Sequence, residues 1–522
     1  MKRGLQPNGI WQILLNHLTK IMKKNIFTLI IFIISIILLG FVVKGDIGTP
    51  IYYQNEKDSR VGGPFESTNT NSRYSLVEAI VENKSFFFTD EQAKFSAPDI
   101  VLHNSNYFSI FTPGVSFVAI PFYMLGKIFD LPQLFTFFST LIFAILNIYL
   151  VFKIGQKLGA GRYTAIIGGL VFIFATNALS YSLTLTQHHA STTLILLSVL
   201  NALSQRTWLN NLMLGIIFSA AILMDIPNAF MMLPVLIYVV FRHFKLEDLG
   251  KKIKIAFDVS SMFILIGIIP LIFLFGWYNY SLTGSYTTLG QMIGRTDYVE
   301  GGRFQPQEKV EEPESPYDRK HVFDPRSQMN GLYILIISNE RGILFYSPIV
   351  AVGLLGLWIA SKKRETLYAV ILTSSVAMMC VVVYSMFGDP WGGWSYGPRY
   401  LIPAAALFCG AIGVAIEKLN KNPVFVFVFA SLLIYSVWVS SLGAMTTNSI
   451  PPRVEAINLS SPIPYTYQYN LNFLEDQKSS SLIFNIFFYK YISLGGFLIA
   501  YISAISILIS VIYVMTLRSE RD

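Results

Sequence analysis

Long apolar runs, separated by short basic clusters or by extended polar stretches, recur along the whole chain. They fall near residues 26–43, 133–152, 163–180, 184–203, 208–224, 228–241, 255–277, 342–360, 366–386, 400–416, 424–443 and 484–515. Runs of roughly twenty apolar residues are long enough to cross a bilayer as helices. The pattern predicts an all-α polytopic membrane protein with about twelve transmembrane helices. One further stretch, PGVSFVAIPFYMLGKIF (113–129), is apolar but carries prolines at 113 and 121, which make a straight crossing helix awkward.

Charge orients the runs. Lys and Arg concentrate in short cytoplasmic loops. The leader before the first run contains Lys20, Lys23 and Lys24, which puts the N-terminus inside. That run is long and no A-x-A-like cleavage site follows it, so it reads as an uncleaved first span. If 113–129 crossed the membrane, Lys153, Lys157 and Arg162 would fall outside. If it lies along the outer interface, they fall inside, together with Arg206, Arg242, Lys245, Lys251, Lys252, Lys254, the KKR at 362–364, Lys418, Lys421, Arg518 and Arg521. The second arrangement is expected, with both termini cytoplasmic and the large loops on the external face of the plasma membrane.

The resulting organisation is a basic leader (1–25), a first transmembrane helix (26–43) and a first external loop with interfacial helices (44–132). Transmembrane helices (133–278), a second external loop (279–341) and further transmembrane helices (342–443) enclosing an aromatic loop (387–400) follow. A third external loop (444–483), then a last helix and tail (484–522), complete the chain. The second loop, rich in charge, Pro and Gly over 295–328, reads as a mobile active-site cover.

Composition agrees. Of 522 residues, 53% are hydrophobic and 13% charged, about half the charge of a soluble domain. The net charge of +8 sits beside the spans and is no nucleic-acid signal. Cys380 and Cys409, the two cysteines, lie inside apolar runs, so neither a disulfide scaffold nor a CxxC site is expected.

The middle of most spans carries no ionisable group, which argues against a transporter's midplane site. The candidate chemistry lies at span ends and in external loops. Asp46, in VVKGDIGTP, directly follows the first span and is placed to take a proton from a hydroxyl; the alternative is a solvated helix-ending residue. Within NSRYSLVEAIVENKSFFF (71–88), Arg73 and Tyr74 open a segment whose Leu76, Val77, Ile80 and Val81 share one helical face, suiting a helix flat on the membrane. Asp99 and Tyr107 follow in APDIVLHNSNYF. The histidines of QHH, His188 and His189, lack the third ligand of a metal site and read equally as interfacial hydrogen-bonders. Asp225, in LMDIPNAF, sits at a helix junction as an ion-pair partner, a cap or a functional group. Arg341, in SNERGILFYSP, and Arg399, in WGGWSYGPRY (391–400), give two guanidinium groups at the external boundary. Their planar forks suit phosphate, the alternative being snorkelling toward headgroups. Arg399 is braced by glycines and proline among Trp391, Trp394, Tyr396 and Tyr400, which favours ligand binding. No cluster has metal-ligand spacing and no cofactor is assigned, with a divalent cation left as the open alternative.

Three stretches carry a resemblance. NSRYSLVEAIVENKSF with APDIV…NYFSIFTPGVSFVAIPFY resembles the first external loop of GT-C glycosyltransferases, the polytopic superfamily that includes protein O-mannosyltransferases and the aminoarabinose transferase. ERGILFYSPI resembles a re-entry segment of the same group, and GGWSYGPRYLIP a late-loop motif. The resemblance covers essentially the full length. It implies interfacial helices in the first loop, a polyprenyl-phosphate-linked sugar donor, a glycan, lipid or protein acceptor, a first-loop carboxylate as base and cations at the departing phosphate. The chain departs from the commoner pattern, reading Thr70, Asn71, Ser72 before Arg73 where relatives often carry an Asp-Glu pair. Asp46 is therefore the first candidate base, with Glu66 and Asp99 behind it. Arg399 is expected to neutralise the leaving phosphate, Arg341 to assist, and the aromatic residues to meet sugar or lipid chain. A flippase of lipid-linked sugars and a non-catalytic scaffold subunit are the competing readings.

Overall fold

The computed structural model describes residues 26–45, 61–248, 253–299, 302–307 and 323–519. The basic leader, Asp46 and the middle of the second loop (308–322) lie outside the described residues.

A bundle of apolar helices forms the body. In chain order these are Ile26–Gly40, Pro132–Lys157, Arg162–Phe174, His188–Ala202, Trp208–Met224, Leu233–His243, Met262–Thr283, Val350–Ala360, Arg364–Ser385, the pair Ile402–Gly410 and Ile412–Leu419, Pro423–Met445 and Leu494–Ser519. Six helical segments among the described residues are long and apolar enough to span a membrane by themselves. Several shorter ones are extended by neighbouring turns, as Ile343–Tyr346 extends toward Val350–Ala360. The last apolar run is interrupted: a π turn at Phe484–Phe488 precedes the helix beginning at Leu494.

Glycines let helix backbones approach. A Cβ on Gly215 would meet the Ile264 carbonyl oxygen at 2.0 Å, and one on Gly267 the Leu212 oxygen at 2.2 Å. Helices Trp208–Met224 and Met262–Thr283 therefore pack backbone against backbone.

The first loop holds helices Thr68–Glu82, Asp90–Ser96 and Gly114–Ile128 and a hairpin, Ile100–His103 paired with Asn106–Ser109. Thr89 and Gln92 form a reciprocal capping box at the start of the short helix, satisfying two backbone donors at once. Gly114 abuts the backbone of Leu223 and Met224, while Gly126 abuts Leu131 and Pro132. The expected membrane-facing stripe is corrected. Leu76 and Val77 are fully buried, packed among Phe65, Tyr74, Phe95, Phe108, Tyr123 and Phe137, because the rest of the loop covers that face. Among the described residues three two-stranded hairpins, unexpected in an all-α reading, occur in loops. One of them, Thr296–Val299 with Arg303–Pro306, rests on the first-loop hairpin: Leu102 donates its N–H to Thr296 Oγ1 at 3.0 Å, and Tyr107 and Phe304 rings lie 4.4 Å apart.

Candidate active site

The loop WGGWSYGPRY is shaped by an arginine from elsewhere. Gly392, Gly393 and Gly397 all have positive φ, 73°, 61° and 60°, a conformation that strongly favours glycine. Arg341 is completely buried and lies inside the curl. Its Nε donates to Trp391 O at 3.0 Å and Ser395 Oγ at 3.1 Å. Its Nη1 donates to Glu340 O at 2.7 Å, and its Nη2 to Gly393 O at 3.3 Å and Ile450 O at 2.7 Å. Burial pulls its pKa down, against the pull of Tyr346 and Tyr181. Tyr396 is likewise buried. Its N–H donates to Tyr181 Oη at 2.9 Å, its hydroxyl donates to Val439 O, and its ring meets Tyr346 edge-on at 5.2 Å. These two residues hold the loop's form.

Trp394 and Arg399 face a narrow polar cleft. Opposite them are Glu66 and Thr70 of the first loop; Thr184 and Thr186 form another wall, and Asn448 and Ser449 of the third loop complete it. Arg399 lies 5.4 Å from the Tyr400 ring centroid, and its Nε has no hydrogen-bond partner among the described residues. Trp394 Nε1 donates to Glu455 at 2.5 Å.

Glu66 is held on every side. It accepts from Lys44 Nζ at 2.7 Å, Gly62 N at 2.7 Å, Thr447 Oγ1 at 2.5 Å and Asn448 N at 2.9 Å. Asp99 accepts from Thr68 Oγ1 at 2.7 Å and pairs with Arg295 at 3.0 Å. Asp46, two residues beyond Lys44 in sequence, lies outside the described residues.

Behind the cleft runs a buried polar chain. Arg73 donates to Asn69 and, through Nη2, to Gln187 Oε1 at 2.9 Å; its guanidinium lies 4.0 Å from the Phe111 ring centroid. Gln187 Nε2 donates to Asp225 Oδ2 at 3.3 Å, and Tyr384 Oη to the same oxygen at 3.5 Å. Tyr384 stacks on Tyr400 at 4.4 Å, within 2° of parallel. Burial lowers Arg73 to about 10, with Asp225 and Asp99 pulling back upward. Burial also raises Asp225, with Arg73 opposing. His188 is buried between Tyr181 and Tyr400, at ring distances of 5.2 and 6.3 Å, and its Nε2 has no partner among the described residues.

Other expected site residues are placed elsewhere. His189 bonds Ala178 O at 2.8 Å and contacts Asn147, inside the bundle. Tyr74 packs on Phe65 and Tyr123, and Tyr107 on Phe304; neither lines the cleft. The sequence reading missed Lys44, Thr184, Thr186, Gln187, Tyr384, Asn448 and Ser449. Two of its available signals were polar runs interrupting apolar sequence, TLTQ (184–187) and TTNS (446–449).

Among solved structures, the chain is similar to ArnT, the aminoarabinose transferase, from Cupriavidus metallidurans in its apo state. The match has a TM-score of 0.50 at 11% identity and covers 94% of this chain and 76% of that one. The chain shares the overall fold of that polytopic membrane protein. Two further likenesses have lower TM-scores: 0.49 for ArnT bound to undecaprenyl phosphate (12% identity, 93% and 75% covered), and 0.43 for the Archaeoglobus fulgidus oligosaccharyltransferase tethered to an acceptor peptide (12%, 82% and 56%). No family model and no curated protein matches the chain. The cleft lies where the first loop, the aromatic loop and the third loop meet.

Proposed function

We propose that the protein is an inverting glycosyltransferase that moves a sugar from a polyprenyl-phosphate donor to a hydroxyl acceptor at the external face of the plasma membrane. One observation carries this reading: Arg399, with Nε unpartnered, at a polar cleft walled by Trp394 and by hydroxyl and amide side chains from three loops. A guanidinium fixed by its loop suits a phosphate whose charge grows as it leaves. In this reading Asp46 removes the acceptor proton, and the acceptor oxygen attacks the anomeric carbon from the face opposite the phosphate. The bond from the anomeric carbon to the phosphate oxygen then breaks, and polyprenyl phosphate departs with the electron pair.

Glu66 and Asp99 already accept from several donors, which supports positioning roles for both and leaves the base to Asp46. Arg341, its donors engaged by the loop it shapes, supports the phosphate site indirectly. The orientation is supported by the short basic loops. Gly161 N donates to Glu417 at 2.6 Å, and Gly159 adjoins Thr366, so the turns beside Arg162, Lys418 and the KKR at 362–364 gather at one end. That is the pattern of a cytoplasmic face.

The test is a transfer assay with purified protein and a panel of polyprenyl-phosphate sugars, read together with native mass spectrometry. Wild type is expected to retain a polyprenyl phosphate and to release it on transfer. Asp46→Asn retains the lipid without turnover, and Arg399→Ala loses the lipid. Full transfer by Asp46→Asn, or unchanged lipid retention by Arg399→Ala, sinks the assignment.

A further inference from the structure

A second cavity is remote from the cleft. It holds about 700 Å³ between the first helix, Ile26–Gly40, and the second half of Pro132–Lys157. Helix Pro132–Lys157 starts at the cleft end, where Gln133 touches Gly45, and this cavity lies toward its other end. Its walls are apolar, with Phe32, Ile142 and Leu146 prominent. Its polar rim is Lys153, Gln156 and Arg162, and among the described residues no carboxylate lines it.

The rim is built. Arg162 Nη2 donates to Thr28 Oγ1 at 2.7 Å, which fixes the guanidinium against the first helix. The Lys153 ammonium lies 5.3 Å from the Tyr149 ring and 5.2 Å from the Phe152 ring, and it has no carboxylate partner among the described residues. Eleven residues separate Ile142 from Lys153, a rise of about 16 Å along the helix. That is close to half the roughly 30 Å thickness of a bilayer's hydrocarbon core. The apolar trough is one leaflet long and ends in two cations.

We propose that this groove binds an anionic phospholipid of the bilayer, with an acyl chain along Phe32, Ile142 and Leu146 and its phosphate held by Lys153, Gln156 and Arg162. Charge selects this occupant. The chain's own leader carries Lys2, Arg3, Lys20, Lys23 and Lys24, the same sign as the rim, whereas an anionic headgroup complements it. The site is separate from the glycosyl-transfer cleft, so the two proposals stand or fall independently.

The experiment titrates the full-length protein in detergent with phosphatidylglycerol or phosphatidylcholine and counts bound lipid by native mass spectrometry. Phosphatidylglycerol is expected to be retained at least about fivefold better, and Lys153→Gln to weaken it about fivefold, the worth of one basic group near an anionic headgroup. Lys153→Arg is expected to keep the preference, which excludes misfolding as the cause. Leu146→Trp fills the trough without touching the rim and is expected to remove bound lipid of both kinds there. Equal retention of the two lipids, or unchanged retention in both Lys153→Gln and Leu146→Trp, overturns the proposal. A gain of lipid when residues 2–20 are deleted would give the groove to the leader, and a dimer abolished by Leu146→Trp would give it to a second copy; either also overturns it.

Discussion

Lys44 and Glu66 form an ion pair 2.7 Å long in which neither side chain is more than 5% exposed. The pair ties the end of the first helix to the first loop, and Thr447 and Asn448 add the third loop to the same carboxylate. Segments nearly four hundred residues apart in sequence thus meet at one side chain beside the cleft. Glu66→Ala strands a buried ammonium, a loss on the order of 3–5 kcal/mol. We expect a large fall in the unfolding midpoint for Glu66→Ala and for Lys44→Ala, and a smaller one for Lys44→Met/Glu66→Gln. A double variant as unstable as the sum of the singles would contradict the pair's coupling.

The two loop arginines should separate in their effects. Arg341→Lys removes the fork that binds the carbonyls of Trp391, Glu340, Gly393 and Ile450. Each buried carbonyl left unpaired costs about 1–3 kcal/mol, so thermal unfolding in detergent should shift clearly downward. Arg399→Lys keeps the positive charge and Nε gives up no hydrogen bond among the described residues, so it should unfold within about 1 kcal/mol of wild type. Its transfer rate should fall by about 10²–10³, the usual loss for one electrostatic contact to a developing charge. A stable Arg341→Lys, or a fully active Arg399→Lys, would reverse the roles assigned to them.

Glu78 links stability to pH. Burial raises its carboxyl from 4.5 to about 7, against a hydrogen bond from Gln92. Between these values the folded chain binds more protons than the unfolded one, so stability falls as pH rises from about 4.5 to about 7 and then levels off. Its full contribution is present below the unfolded value and lost above the folded one. Glu78→Gln should be more stable than wild type at pH 8, by about 1–3 kcal/mol, and indistinguishable from it near pH 4.5. Unfolding curves for both proteins across that range provide the check, and an equal offset at every pH would rule this linkage out.

Gly215 sets the spacing of two helices. Gly215→Ala puts a methyl on the Ile264 carbonyl, whereas the Cβ of Gly40→Ala meets nothing within 4 Å. Overpacking of this kind costs about 1–3 kcal/mol. The first variant should lower the unfolding midpoint and the second should leave it nearly unchanged. Equal midpoints would mean that the helices part without penalty.

Which residues would be brought together was only partly legible in the chain. Arg399 was recognisable because a lone cation among glycines, proline and aromatics stands out locally. Arg341 was equally visible as a cation at a boundary. Its burial inside the aromatic loop depends on a return of the chain some fifty residues later, which no local pattern encodes. Glu66 looked like one loop carboxylate among several; its four donors come from the first and third loops. The apolar face of Thr68–Glu82 showed that something must cover Leu76 and Val77, but lipid and protein are equally good covers at that resolution of pattern.

By itself, then, the sequence determined the apolar helices and their order, because hydrocarbon thickness acts on each segment separately. Tertiary structure alone decided which polar groups share the cleft and which are consumed as scaffold. Hydrogen bonds and desolvation act between segments, and their partners are chosen only when the bundle closes.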